Sequence, residues 1–471
     1  MERLKREKNE IHKPLKVIQF GEGNFLRAFI EWMIEVLNEK ADYNGSVAIV
    51  QPIERGMVST LQDQDGLYHH LRQGIENGKT VDEIKKIRCV SHAINPFKNP
   101  EAYYKLAEVP TIQLIVSNTT EAGIEFKESD TPGENELADT FPGKLTQLLK
   151  HRFDHFDGDT EKGVAFLPCE LIEQNGDRLK ECIVNYIRLW DLGDGFENWI
   201  NTNCYFSNTL VDRIVPGYPK EEIDEIKERI GYDDSMVVKS EAFHLFVVQG
   251  PEEIQKIFPA GKAGLNVRFV DDITPYRTQK VRILNGAHTS MVQIGLLSGL
   301  ETVKEAIEDE IVGEVMDEII FNEIVPTIQI PGGDPEEFAG EILGRFKNPF
   351  IRHELIDISL NSVSKYKVRV LPTVLDYMEQ KGELPKRLVF ALACLIRLYQ
   401  LRGDELKDDA ENLTFFKDRK KAAAENLVND VLTNHSMWGQ DLSKVDGMSD
   451  SVLTYYNSIL QNNMPKAIQT I

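Results

Sequence analysis

The sequence predicts an α/β protein in two parts: a parallel-sheet domain followed by a mostly α-helical domain. Three observations carry this. Short β-rich runs alternate with helical stretches through the first half, and such alternation implies a parallel sheet with helices on its faces. The first strand enters its helix through Gly21-Glu22-Gly23. From about Pro275 the pattern turns mostly helical. The switch, near residues 262–275, sets expected domains of 1–265 and 266–471.

Residues 16–20 (KVIQF) form the first expected strand. A helix follows over 24–40, where Phe25, Phe29, Met33 and Leu37 recur every four residues. SVAIV, residues 46–50, is the second strand, and 87–92, 112–117 and 163–167 are further strands. Helices are expected between them at 103–108 and 143–152. In the second half, Val303, Ile307, Ile311, Val315 and Ile319 make one stripe. Acidic residues fill the rest of 301–323, as on a solvated helix face. Helices are also expected at 368–380, 385–400, 418–432 and 449–461. The chain shows no internal repeat and no low-complexity linker.

Composition narrows the partners. Among 471 residues, 54 Lys plus Arg stand against 76 Asp plus Glu, a net charge of −22. Such a surface repels phosphate backbones, so neither nucleic acid nor an anionic membrane is expected as a partner. A small anionic substrate then requires a local cationic pocket. Hydrophobic residues at 41% and charged residues at 28% exclude wholesale disorder. The five cysteines, Cys89, Cys169, Cys182, Cys204 and Cys394, form no CxxC pair. That pattern argues against a zinc finger or redox pair, so no metal site is expected, and it fits reduced thiols. The basic N-terminus lacks an apolar signal core. No run approaches the roughly 18–20 apolar residues a membrane helix needs. The expectation is a cytoplasmic protein with a small-molecule substrate, as a monomer or small homo-oligomer.

The turn at Gly21 and Gly23 carries the first candidate site. In a dinucleotide turn the first glycine permits the tight bend, and the second lets the backbone approach a pyrophosphate at the helix N-terminus. Leu26 stands where a GxGxxG motif has its third glycine. The alternative is an ordinary strand-to-helix turn. No acidic residue directly follows the second strand; the chain continues Gln51-Pro52-Ile53-Glu54-Arg55. Gln51 has the chemistry to bond a ribose and Arg55 that to meet a 2′-phosphate, so the choice between NAD and NADP stays open. Asn118 and Thr119 follow the strand 112–117, where ligands bind in open α/β sheets, or where turns are capped.

The second candidate lies in Tyr276-Arg277-Thr278-Gln279-Lys280-Val281-Arg282-Ile283-Leu284-Asn285-Gly286-Ala287-His288. At about 100° per helical residue, Lys280, Asn285 and His288 fall within one sector of roughly 140°. Carbonyl reduction needs such parts: a donor for the oxygen that gains charge (Asn285), a proton source (Lys280) and a group that orients a substrate hydroxyl (His288). Arg277 and Arg282, if close and desolvated, would lower the Lys280 pKa. The alternative is a basic amphipathic helix with one buried histidine.

Four motifs in order, GxGxFxRA from Gly21, Thr120-Glu121-Ala122-Gly123, Val211-Asp212-Arg213-Ile214, and Lys280-x4-Asn285-x2-His288, resemble the mannitol dehydrogenase family of polyol-specific long-chain dehydrogenases/reductases. The resemblance implies a Rossmann-like dinucleotide-binding domain with a helical C-terminal domain, and NAD chemistry without zinc. It implies Lys280 as general acid/base, Asn285 as donor to the reacting oxygen and His288 as substrate ligand. It places Gly21, Gly23, Asn24, Phe25 and Arg27, with Leu26 and Gln51, along the cofactor, and Asn118 and Thr119 nearer the nicotinamide.

Further segments resemble family members that reduce keto-uronates: Gln64-Asp65-Gly66-Leu67-Tyr68, Ala93-Ile94-Asn95-Pro96, Ser117 through Gly123, Pro168-Cys169-Glu170-Leu171 and Lys280 through Gly286. These imply reduction of tagaturonate to altronate with NADH in hexuronate breakdown. Fructuronate is the next candidate substrate, then a neutral polyol such as mannitol. A catalytically silent dinucleotide sensor is the reading from another class. Two departures matter. The family's second oxyanion Asn is replaced around Glu170-Leu171, and its Glu three residues before the Lys is Arg277. Arg277, Glu170, Asp212 and Arg345 are the candidate substrate contacts; a cation suits a carboxylate. Asp212 and Arg213 read equally well as a structural pair.

Overall fold

The computed structural model describes residues 1–7, 12–76, 78–119, 123–133, 136–330 and 333–471. Thr120, Glu121 and Ala122 of the second motif lie outside the described residues. The chain divides into two compact units, Met1–Ile273 and Thr274–Ile471.

The first unit contains β1 (Leu15–Phe20), β2 (Ser46–Val50), β3 (Tyr68–Glu76), β4 (Lys79–Ile87), β5 (Val90–Ile94) and β6 (Leu114–Ser117). They are followed by β7 (Ala165–Pro168), β8 (Tyr205–Phe206), β9 (Asn208–Asp212), β10 (Val238–Glu241), β11 (Leu245–Gln249) and β12 (Val267–Val270). The main sheet has the order β5-β2-β1-β6-β7-β8, and every pairing in it is parallel. Parallel strands need both faces covered. Alternate side chains of β1 supply the two faces. Val17 packs with Val47, Ile49, Phe29, Met33 and Leu37 on one side. Ile18 and Phe20 pack with Ala48, Val50, Leu145, Leu149 and Ile183 on the other. The chain runs outward from β1 to β2, then returns to place β6 on the opposite side of β1. The strand order therefore reverses between β1 and β6. Two smaller sheets, β10-β3-β4 and β12-β11-β9, are mixed.

The helix expected over 24–40 is two helices, Asn24–Ala28 and Ile30–Lys40, broken at Phe29 with φ −122° and ψ −76°. The strand expected at 87–92 is also two pieces, because β4 and β5 belong to different sheets. Residues 266–273 stay with the first unit because β12 pairs with β11.

The second unit is helical. Thr274–Gln279, a π-helix at Lys280–Asn285 and Gly286–Leu297 follow without interruption. Gly286–Leu297 packs on the long buried helix Lys386–Arg402. The stripe expected over 301–323 breaks into Val303–Glu308, Glu310–Glu318 and a second π-helix, Ile319–Ile324. Extended Asp309 ends the first piece, and its carboxylate caps the Ile311 and Val312 N–H groups. That break turns Ile311 outward, while Val303, Ile307, Val315 and Ile319 stay buried. The helix expected over 368–380 divides into Ser362–Arg369 and Leu371–Lys381, with Pro372 in the first turn of the second. Residues 418–432 likewise span the end of Ala410–Asp418 and all of Ala424–Leu432. All five cysteines are free and buried. Among the described residues no helix is long and apolar enough to cross a membrane.

Candidate active site

In the first unit, Gly21 leaves β1 at φ +115°, where side chains are strained. A Cβ there would lie 2.9 Å from the Asn118 carbonyl oxygen. The Gly21 N–H donates to Val50 O (3.0 Å) and the Asn118 N–H to Phe20 O (3.1 Å). The turn thus sits at the carboxyl ends of β1, β2 and β6, over the reversal of strand order. Open α/β sheets bind ligands in that crevice. A Cβ on Gly23 would meet nothing within 4 Å, so there is open space beside its backbone. Leu26 is buried, and its Cδ1 lies 3.6 Å from the Cβ position of Gly21. Helix and strand therefore pack through a leucine instead of a third glycine. Phe25 is half-buried and stacks on Phe29 with centroids 5.0 Å apart.

Arg27, expected along the cofactor, is buried at the turn. It is 1% exposed, and its guanidinium donates to Asn24 Oδ1 (2.6 Å), Glu22 O (3.1 Å) and Met236 O. Three inward acceptors hold it behind the turn. Beneath it, the Gln19 amide donates to Gly21 O (2.9 Å) and Glu31 Oε1 (2.7 Å), and the Tyr68 hydroxyl to Glu31 Oε2 (2.7 Å). Burial pushes the Glu31 carboxyl pKa up, while Tyr68, Gln19 and Arg27 pull it down. Sequence reading missed this buried network. Its one signal was Gln19 inside the apolar run KVIQF.

Gln51 is also turned inward. Its Nε2 donates to Ile53 O and Glu54 O (both 2.9 Å), and its Oε1 accepts from the Val58 N–H (3.4 Å). Its amide bonds within its own loop. Glu170, expected to touch substrate, is buried. Its carboxylate accepts from Thr119 N–H (3.0 Å), Thr119 Oγ1 (3.1 Å) and Ser117 Oγ (3.0 Å). Burial raises its pKa and these donors lower it. It ties the end of β6 to the end of β7, which positions Asn118 and Thr119. Leu171, beside it, is 57% exposed. Asp212 is buried at the end of β9. Arg213 is buried too, donating to Glu241 O (3.1 Å) and Ala28 O (2.8 Å) and lying over Trp32 (4.3 Å). Those contacts give Arg213 a structural place within the first unit.

In the second unit, Lys280–Asn285 is a π-helix. Its wider turn, with i→i+5 bonding, replaces the 100° step assumed from sequence, so the 140° sector does not apply. π turns are rare and are found often at functional sites. Lys280 and Asn285 are half-buried, as is Arg277 in Thr274–Gln279. Arg282 is ion-paired with Asp376.

His288 is buried on Gly286–Leu297. Its ring stacks on Phe346 (4.3 Å) and meets His353 edge-on (5.1 Å). Its Nε2 is buried without a hydrogen-bond partner, as are polar atoms of Ser290 and Gln293 on the same helix. Burial drives its pKa well below the usual imidazole range, and His353, Arg345, Arg369 and Lys365 push the same way. Arg345 thus lies near His288, with two cations that sequence reading missed. Lys365 and Arg369 stand one turn apart on Ser362–Arg369. The Lys365 Nζ donates to Ile358 O (2.7 Å), and burial, then Arg369, lowers its pKa to about 8. Asp408 opposes the lowering at Lys365.

The strand reversal, the glycine turn over it and the helical second unit define a Rossmann-type α/β oxidoreductase with a separate helical domain. The family model for the mannitol dehydrogenase Rossmann domain matches residues 15–258, and that for the mannitol dehydrogenase C-terminal domain matches 272–460. The chain belongs to the mannitol dehydrogenase family. It is 44% identical to an altronate oxidoreductase of Phocaeicola vulgatus, covering 98% of this chain and 97% of that one. It is 45% identical to an altronate oxidoreductase of Bacillus subtilis, covering 97% and 95%. Its fold resembles the crystal structure of D-sorbitol dehydrogenase (TM-score 0.81, 23% identity, covering 97% and 95%). It also resembles Pseudomonas fluorescens mannitol 2-dehydrogenase in complex with NAD and D-mannitol (TM-score 0.69, 18% identity, covering 97% and 94%).

Proposed function

We propose that the protein is a cytoplasmic tagaturonate reductase (altronate oxidoreductase) that reduces tagaturonate to altronate with NADH in hexuronate breakdown. The first unit holds the dinucleotide, and the second carries the acid/base and substrate ligands. The observation that supports the keto-uronate is that Arg345, Lys365 and Arg369 all act on buried His288, so a substrate carboxylate bound beside it would meet a cationic field. The names of the curated relatives support the same substrate.

The glycine turn fits NAD, because Gly23 leaves open space beside its backbone and Gly21 allows the bend. Gly21, Gly23, Asn24 and Phe25 would hold it, with Asn118 and Thr119 nearer the nicotinamide. Bound there, NADH supplies the hydride. Lys280 holds the proton that the substrate oxygen takes up. Asn285 donates to that oxygen as its charge grows. His288, neutral, presents Nε2 to a substrate hydroxyl, and Arg277 adds a cation one turn before Lys280. Action without zinc is what the family resemblance implies. EDTA is expected to leave the rate unchanged.

Gly21→Ala is expected to weaken NADH binding by about tenfold or more, since strained backbone costs on the order of 1–3 kcal/mol. A fluorescence titration of NADH, with a melting curve to confirm folding, checks this. The function itself is tested by loss of reduced-nicotinamide absorbance with tagaturonate, fructuronate and fructose in turn. Turnover with tagaturonate is the expected result. Preference for fructuronate would keep the mechanism and change the name, and turnover of fructose alone would overturn the carboxylate argument.

A further inference from the structure

Open α/β sheets usually meet the adenosine ribose with a carboxylate at the end of the second strand, and this discriminates NAD from NADP. Here that position is Gln51, and its amide is bonded within the loop 51–58. The nearest buried carboxylate sits elsewhere, on Glu22 between the two glycines. Glu22 is 7% exposed, and its Oε1 accepts the Met57 N–H at 3.1 Å. Gly56 records how closely the loop crosses it: a Cβ there would fall 2.0 Å from Glu22 Oε1 and 2.6 Å from Gln51 Oε1. Glu22 and Gln51 together latch the loop 51–58 onto the glycine turn. The exposed Glu54 and Arg55 of that loop are adjacent and opposite in charge, so their fields largely cancel.

Resting on the dinucleotide reading above, we propose that Glu22 is the residue that selects NADH over NADPH. Burial raises the Glu22 pKa, while the Met57 N–H and Arg27 lower it. As a carboxylate where the glycine turn meets the loop after β2, it repels a 2′-phosphate. The discriminating carboxylate has moved from the end of β2 into the turn itself.

The test uses the full chain and two ligand pairs. The first is kcat/KM for NADH and NADPH. The second is inhibition by 5′-AMP and by adenosine 2′,5′-bisphosphate, which reads the adenosine site without catalysis. Glu22→Gln keeps an acceptor for the Met57 N–H and removes the charge. In this variant the NADH:NADPH ratio is expected to fall about tenfold or more, the scale of one sheltered unit charge. Its inhibition preference should shift toward the bisphosphate in parallel. Equal losses for both cofactors, with the ratio unchanged, would make Glu22 a loop support and overturn the proposal, while leaving NADH turnover intact in the wild type. A shift in Glu54→Gln but not in Glu22→Gln would overturn it as well. If neither adenine nucleotide competes in the wild type, the dinucleotide reading itself falls.

Discussion

Replacing Lys280 with Ala is expected to lower kcat by about 10²- to 10⁴-fold, the usual contribution of a positioned general acid or base. NADH binding should be retained, because the glycine turn belongs to the other unit. Hydride arrival leaves an alkoxide, and that alkoxide needs a proton at the moment its charge peaks. Asn285 lowers the charge but has no proton to release. Arg282 is paired with Asp376. On the proposed reading, Lys280 is the donor within the segment. Steady-state kinetics with tagaturonate, beside a fluorescence titration of NADH, separates the outcomes. A variant that turns over within about threefold of the wild type would remove Lys280 from the chemistry. It would also revive the silent-sensor reading.

The second large effect is expected at the cations. Arg345→Met should raise KM for the keto-uronate by about 10- to 100-fold, since a hydrogen bond to a charged group contributes about 1.5–3 kcal/mol. Lys365→Met should act in the same direction. The loss should appear in KM more than in kcat, because carboxylate binding is shared by the ground and transition states. A neutral ketose provides the control, since it has no carboxylate to lose. Equal damage to both substrates would show that these side chains only support the fold, for Arg345 is buried beside Phe346 and so close to the His288 ring.

Much of the architecture was legible because it is written in local periodicity. The alternation of apolar strands and helices gives the parallel sheet, and Gly21 marks the turn because its geometry admits little else. What stayed hidden depends on contacts distant in sequence. An arginine in an amphipathic helix is ordinarily a surface residue, yet Arg27 is drawn inward by the Met236 carbonyl, which no local pattern announces. Lys365 and Arg369 look like a solvated face until the fold brings His288 beside them. Gln51 and Glu170 had the right chemistry for ligands but are occupied by Val58, Ser117 and Thr119. The π turn left no trace in the hydrophobic pattern, so the angular placement of Lys280 against His288 could not be drawn from an α-helical wheel.

That turn also has a consequence for descent. A π segment is an α-helix that carries one residue more than its neighbours' bonding pattern uses. Removing a residue anywhere in Lys280–Asn285 would let the stretch close as an α-helix and swing everything after it by about 100°. Substitution at Val281 or Ile283 can drift among apolar types, but insertion and deletion are barred. Lineages descended from this chain should therefore vary the letters between Lys280 and His288 while holding their number constant, which makes the length of the segment itself a heritable trait.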